Sequence, residues 1–269
     1  MKLATGKSTL ASVRAWAALA AVTLLAAPVL RAQDKVPPLT IFAAADLSQA
    51  FGEIAPLFEQ VAGTEVRLVF GSTGTLALQI EHGAPADLFF AANVSVVDRL
   101  REQGLVVAAT ERLYARGRLV IVTSAGTGPR VDVPADLTRP EVRGVVIADP
   151  EHAPYGQAAR EALKAAGVWD AVSPKLVYAE NIHQALQFVQ SGAADAGITA
   201  LSVARVPNIR FVMIDERLHR PINQAAAVVT ASRRQPAARD FLAFVNGPRG
   251  RAIMTRYGFM LPDIADGVR

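Results

Sequence analysis

The chain alternates between strand-like and helix-like hydrophobic patterns along most of its length, and that alternation limits the fold more than any other feature. Leu39-Thr40-Ile41-Phe42-Ala43-Ala44 is a continuous apolar, β-rich run, the pattern of a buried strand. Phe51, Ile54, Ala55 and Phe58 follow at close to helical spacing, and Gly63 stands where that helix should end. Residues 66–70 predict a second strand, 76–80 a second helix, 88–90 a third strand and 94–103 a third helix. This order is the signature of a parallel sheet covered by helices on both faces. A second series opens with Leu119-Val120-Ile121-Val122-Thr123. It continues through a strand at 145–148, a helix at 157–166, a strand at 176–178, a helix at 181–191 and a strand at 196–201. Residues 225–230 predict a last strand, and two closing helices, 236–246 and 248–257, are split at Gly247-Pro248. Two series of the same architecture imply two α/β lobes. A ligand between them would sit in the cleft at the carboxyl ends of the strands.

The first thirty residues do not belong to either series. Lys2, Lys7 and Arg14 precede the apolar run 15–27, Pro28 breaks it, and Ala32 is a small residue suited to a cleavage point. This reads as a secretory signal peptide covering residues 1–32; the run is shorter than the roughly 20 residues a membrane span needs. The formal charge of +4 comes from this segment, which holds four basic residues and no acid. The remainder carries 24 basic and 24 acidic side chains, without the basic surplus of a nucleic-acid binder. The absence of cysteine excludes disulfides, iron–sulfur clusters, thiolate zinc sites and cysteine catalysis. The mature chain is therefore expected to be a soluble exported protein. Its first lobe begins with 33–115, its second lobe is 116–220, and 221–269 crosses back and supplies C-terminal helices packing on the lobes. Hinges are expected near 113–119 and 215–227.

Four strand-to-helix junctions could handle an anion. They are Ala45-Asp46-Leu47-Ser48, Gly71-Ser72-Thr73-Gly74, Ala153-Pro154-Tyr155-Gly156 and Glu180-Asn181-Ile182. Each leaves N–H groups at a helix start, and several facing one cleft would cradle an oxyanion without Lys or Arg. Gly-Ser-Thr-Gly lacks the lysine of a nucleotide-phosphate loop, and by itself it reads equally well as a turn and a cap. The four histidines, His82, His152, His183 and His219, are scattered. Asp46 and Asp87 could pair as catalytic carboxylates, yet each has a plain capping or turn role. No nucleophile elbow or zinc-protease motif is present, so no enzyme activity, cofactor or metal centre is expected.

The ordered set of segments resembles the periplasmic molybdate-binding proteins, the receptors of ABC importers and members of the type II periplasmic binding proteins. The resemblance is carried by residues 42–47, 70–80, Gly83-Ala84-Pro85-Ala86-Asp87-Leu88-Phe89, 149–156, 179–186 and Tyr257-Gly258-Phe259, and it spans nearly the whole mature chain. It implies a two-lobed fold, each lobe a mainly parallel sheet flanked by helices. It also implies a molybdate or tungstate ligand in the interlobe cleft, a permease partner in the inner membrane and a periplasmic location; a receptor that must open and close is expected to be a monomer. Carried over residue by residue, it makes Asp46 and Thr73 side-chain contacts to the oxyanion, and Tyr155 and Ile182 backbone N–H donors. A tyrosine hydroxyl that one branch uses matches Tyr114; another branch's tyrosine falls at Ala200 and is absent. Asp46 departs from the family, where Ser or Asn is common. An ionised carboxylate facing a dianion is repulsive. The acid could be protonated, or turned away to cap the helix while its backbone binds, or the receptor could serve a different oxyanion or small polar solute.

Overall fold

The computed structural model describes residues 36–262; the expected signal peptide and its cleavage point lie outside the described residues. The strands of the first lobe are β1 Leu39–Ala44, β2 Val66–Gly71, β3 Leu88–Ala91 and β4 Arg112–Gly117, with helices α1 Ser48–Ala62, α2 Thr73–Glu81 and α3 Val94–Glu102 between them. The chain then crosses to β5 Leu119–Ser124, β6 Val145–Ala148, α4 Pro154–Ala165, α5 Trp169–Val172, β7 Leu176–Ala179, α6 Ile182–Gln190, β8 Ala196–Ala200, α7 Leu201–Ala204 and β9 Ile209–Met213. It returns with β10 Ile222–Val228 and ends in α8 Gln235–Asn246 and α9 Pro248–Arg256. Among the described residues no helix is long and apolar enough to cross a membrane.

Two five-stranded sheets result, in the orders β2-β1-β3-β10-β4 and β7-β6-β8-β5-β9. Each follows one rule. In the first, β1 pairs in parallel with β2 and β3, while β10 is antiparallel to both β3 and β4. In the second, β6 pairs in parallel with β7 and β8, while β5 is antiparallel to both β8 and β9. The one reversed strand in each sheet is the first strand after a crossing between lobes. Two crossings, Arg118 between β4 and β5 and residues 214–221 between β9 and β10, thus join two otherwise parallel sheets.

The cores follow the apolar pattern. β1, β3, β6 and β8 have nearly every residue buried, as strands covered on both faces must. One face of the first sheet carries an aromatic cluster in which Phe51 lies edge-on to Phe90 at 4.8 Å and to Phe241 at 5.6 Å, and Phe90 lies edge-on to Tyr114 at 5.1 Å. Such pairs add about 0.5–1.5 kcal/mol each beyond the area they bury, and this set fastens α1 and α8 to β3 and β4.

Gly63 closes α1 as expected, with φ 63°. Asn181 caps α6 by accepting from the His183 and Gln184 N–H groups at 3.0 and 3.1 Å. Other expectations need correction. Asp46 does not cap α1: the helix starts at Ser48, and its start has no side-chain cap. A three-residue 3-10 turn, Ala45–Leu47, leads straight from β1 into α1, so the chain needs no separate cap. The first crossing, Arg118, falls inside the expected hinge region 113–119, but residues 112–117 themselves form strand β4, because their backbone pairs with β10 although charged residues interrupt their apolar pattern.

Candidate functional site

The carboxyl ends of the strands in both sheets meet at one small, tight cavity. Its walls come from four chain junctions: the turn after β1 with Asp46, the start of α2 with Thr73, the start of α4 with Tyr155, and the start of α6 with Ile182. The first two belong to one lobe and the last two to the other. Four of the five expected contact residues, Asp46, Thr73, Tyr155 and Ile182, therefore line one space; the fifth, Tyr114, does not.

Asp46 is 1% exposed. Its Oδ2 accepts a hydrogen bond from the Tyr155 hydroxyl at 2.9 Å and another from Gln224 Nε2 at 2.6 Å. Gln224 Nε2 also donates to the Tyr155 oxygen at 3.1 Å. Oδ1 has no protein partner. Burial pushes the Asp46 carboxyl up to about 6, outweighing the two side-chain bonds and the residue's own N–H, which lower it. Burial, and then the Asp46 charge, hold the Tyr155 hydroxyl well above its ordinary range, so Tyr155 remains a donor. The cluster spans three parts of the molecule: Asp46 in one lobe, Tyr155 in the other, and Gln224 in the strand that returns from the crossing. Gly117, the last residue of β4, makes room for it. A Cβ there would stand 1.9 Å from the Tyr155 hydroxyl and 2.9 Å from Gln224 Nε2.

The remaining walls offer donors. The Ala92 N–H donates to Thr73 Oγ1 at 3.0 Å, which fixes the oxygen and leaves its proton to be donated. Ser72 caps α2, accepting from the Thr75 N–H at 3.3 Å. Asn181 takes the His183 and Gln184 N–H groups, so the Ile182 N–H is the first-turn donor of α6 that the cap does not use. Tyr155 follows Pro154 at the start of α4, where N–H groups lack partners within the helix. No Lys or Arg lines the cavity. Its positive potential comes from the starts of α2, α4 and α6, whose dipoles favour an anion. The geometry suits a compact, desolvated oxyanion held by N–H and O–H groups from both lobes.

Bonds across the cleft hold the lobes together. The Gly74 N–H donates to His152 O at 2.9 Å, and Gln49 Nε2 donates to Val203 O at 3.1 Å. Arg118, at the first crossing, donates through Nε to Gly258 O at 3.0 Å. At the second crossing the Arg220 N–H and guanidinium both engage Glu161 on α4.

Other candidates are bonded within the protein. Tyr114 is buried, and its hydroxyl donates to Ala91 O at 3.3 Å. Asp87 has both oxygens engaged: Oδ2 accepts from the Thr40 N–H at 2.8 Å and Oδ1 from the Ser232 hydroxyl at 2.6 Å. It ties β3 to β1 and to the loop after β10 and is not paired with Asp46. Among the described residues no three His, Asp or Glu side chains are placed to hold a metal ion. Sequence reasoning misses Gln224. Its strand, Ile222–Val228, holds two adjacent amides, the exposed Asn223 and the fully buried Gln224, in an otherwise apolar run.

Residues 39–260 match the family model described as "Bacterial extracellular solute-binding protein". The molybdate-binding protein ModA of Rhodobacter capsulatus is 33% identical over 218 residues, covering 81% of this chain and 86% of that protein. ModA of Escherichia coli is 34% identical over 234 residues, covering 83% and 89%. The solved periplasmic molybdate-binding protein of Azotobacter vinelandii superimposes with a TM-score of 0.78 at 28% identity, over 84% of this chain and all of that one.

Proposed function

The chain belongs to the bacterial extracellular solute-binding proteins, and from that premise we propose that it captures molybdate, or the nearly equal-sized tungstate, between its lobes in the periplasm and delivers it to an ABC permease. It is a carrier and not a catalyst. The observation that supports this reading best is the convergence of Thr73, Tyr155 and Ile182 on one cation-free cavity whose walls come from both lobes. Tetrahedral oxyanions present acceptors in all directions, and a set of N–H and O–H donors at fixed radius matches them. The longer metal–oxygen bonds of molybdate and tungstate distinguish them from sulfate in a cradle of one size. Asp46 completes the wall, and the Tyr114 hydroxyl bonds to Ala91 O.

Closure is the functional step. An ion that bonds to both lobes favours the closed form by its differential affinity, and the permease reads that form. The two crossings at Arg118 and at 214–221 serve as the hinges, and the receptor works as a monomer, with the first lobe, the second lobe and the returning segment divided as the sequence implies.

Isothermal titration calorimetry of the ligand-stripped protein tests the reading. Molybdate and tungstate should each bind one ion per chain, and sulfate should give no heat. Thr73→Val removes a charge-assisted bond of about 1.5–3 kcal/mol and should weaken molybdate about 10- to 100-fold. Unchanged affinity in that variant would remove Thr73 from the site. Asp46 favours a second reading, a receptor of the same fold for another oxyanion or small polar solute. Phosphate binding in place of molybdate would establish it.

A further inference from the structure

The carboxyl group of Asp46 is oriented with a division of labour between its two oxygens. Oδ2 is saturated by Tyr155 and Gln224. Oδ1 is buried, has no hydrogen-bond partner among the described residues, and belongs to a residue that lines the cavity. An oxyanion in that cavity brings only acceptors. Two acceptors in a water-poor space repel unless a proton lies between them. We propose that Asp46 meets the oxyanion as a carboxylic acid, so that each ion captured is accompanied by one proton taken from solvent and held on Oδ1 against an oxygen of the ion. This rests on the reading that the ion occupies this cavity.

The surroundings of Asp46 favour the neutral acid. Tyr155 from α4 and Gln224 from β10 bond to it without charge. Tyr114 from β4 feels the Asp46 charge, and burial first and that charge second keep its hydroxyl protonated. On α1, Glu53 is paired with Arg256 and Glu59 accepts from the Val66 N–H. On β2, Arg67 sits at the far end, opposite Thr40. α7 carries no titratable side chain. Beside α6, Glu180 and His183 line the neighbouring groove with Ala45 and Ser48. No Lys or Arg bonds to Asp46, so nothing supplies a compensating positive charge when it ionises.

The consequence is proton-linked affinity. The free receptor holds this proton only below about pH 6, and the bound ion raises the proton's affinity further. Molybdate should then bind roughly 50- to 100-fold more weakly at pH 8 than at pH 5.5, following tenfold per pH unit on the upper limb. Calorimetry at pH 8 in two buffers of different ionisation heat should count close to one proton taken up per molybdate. Asp46→Asn is shaped to put its carbonyl where Oδ2 is and its amide donors where the proton was. It should bind molybdate more tightly than the parent at pH 8, with no proton uptake and a flat profile. Asp46→Ser, a second variant with no ionisable group, should also be flat. Tight molybdate binding by the parent with no proton uptake and no slope overturns the proposal and leaves the receptor reading intact. A slope that survives in Asp46→Asn assigns the proton elsewhere and also overturns it. If parent and both variants bind no oxyanion at either pH, the receptor reading fails and takes this proposal with it.

Discussion

Gly156→Ala should cost the receptor about 100-fold or more in molybdate affinity, a larger loss than its single methyl group suggests. A Cβ at position 156 would lie 2.0 Å from Ala148 O and 2.7 Å from Ala148 C. Both are backbone atoms at the end of β6, so no side-chain rotation relieves the clash and α4 must move. That helix start carries the Tyr155 N–H and the Tyr155 hydroxyl that positions Asp46. Two charge-assisted bonds at about 1.5–3 kcal/mol each set the scale of the loss. Overpacking of this kind also costs roughly 1–3 kcal/mol of stability. Gly52→Ala is the matched control. Gly52 is exposed inside α1, and a methyl group there would meet nothing within 4 Å, so alanine should leave affinity alone and stabilise by up to about 1 kcal/mol. Calorimetric titration and thermal unfolding of both variants decide the matter; parental affinity in Gly156→Ala would mean the start of α4 is not part of the site.

The second large effect is on the ligand-free protein. Asp46→Asn should be more stable than the parent at pH 8 by about 3 kcal/mol, with the advantage vanishing near pH 4. The sign follows from linkage. The Asp46 carboxyl titrates near 3.8 when unfolded and about 6 when folded. Between those values the folded state holds more protons, so stability falls as pH rises through this window and stays lower above it. A difference of about two pH units corresponds to about 3 kcal/mol, or roughly 6–12 °C in melting temperature for a domain of this size. Asparagine keeps the bonds from Tyr155 and Gln224 and removes the charge. Equal melting temperatures at pH 8 would show that Asp46 is not buried as a charge. Carrying such a cost in the empty state makes sense for a residue whose proton is used when the ligand arrives.

The alternation of strands and helices makes the two lobes legible, because strands buried on both faces leave continuous apolar runs and their covering helices leave periodic ones. The site is legible where backbone chemistry makes it: glycine, hydroxyl and Asn residues at strand-to-helix junctions mark helix starts, and these junctions contain Thr73, Tyr155 and Ile182. What depends on distance through space is not legible. Gln224 and Asp46 are 178 residues apart in sequence, and nothing local to either shows that they bond. Asp87 has the look of a possible acid partner for Asp46, yet the Thr40 N–H and the Ser232 hydroxyl, one on each side of it in the fold, claim both oxygens. The expected hinge region 113–119 holds the crossing Arg118 but overlaps strand β4, whose apolar pattern, broken by Arg112 and Arg116, carries a weak periodic signal; its pairing with β10 is what makes it a strand. The resemblance makes Tyr114 a ligand contact; in this structure its hydroxyl bonds to Ala91 O.

The most direct test of the central claim, that the oxyanion is held between the lobes by these four junctions, is anomalous diffraction from crystals grown with tungstate. One strong tungsten peak per chain is expected inside the cavity bounded by Asp46, Thr73, Tyr155 and Ile182, with Asp46 Oδ1 in contact with an oxygen of the ion. A tungsten peak elsewhere on the protein, with that cavity empty, would contradict it.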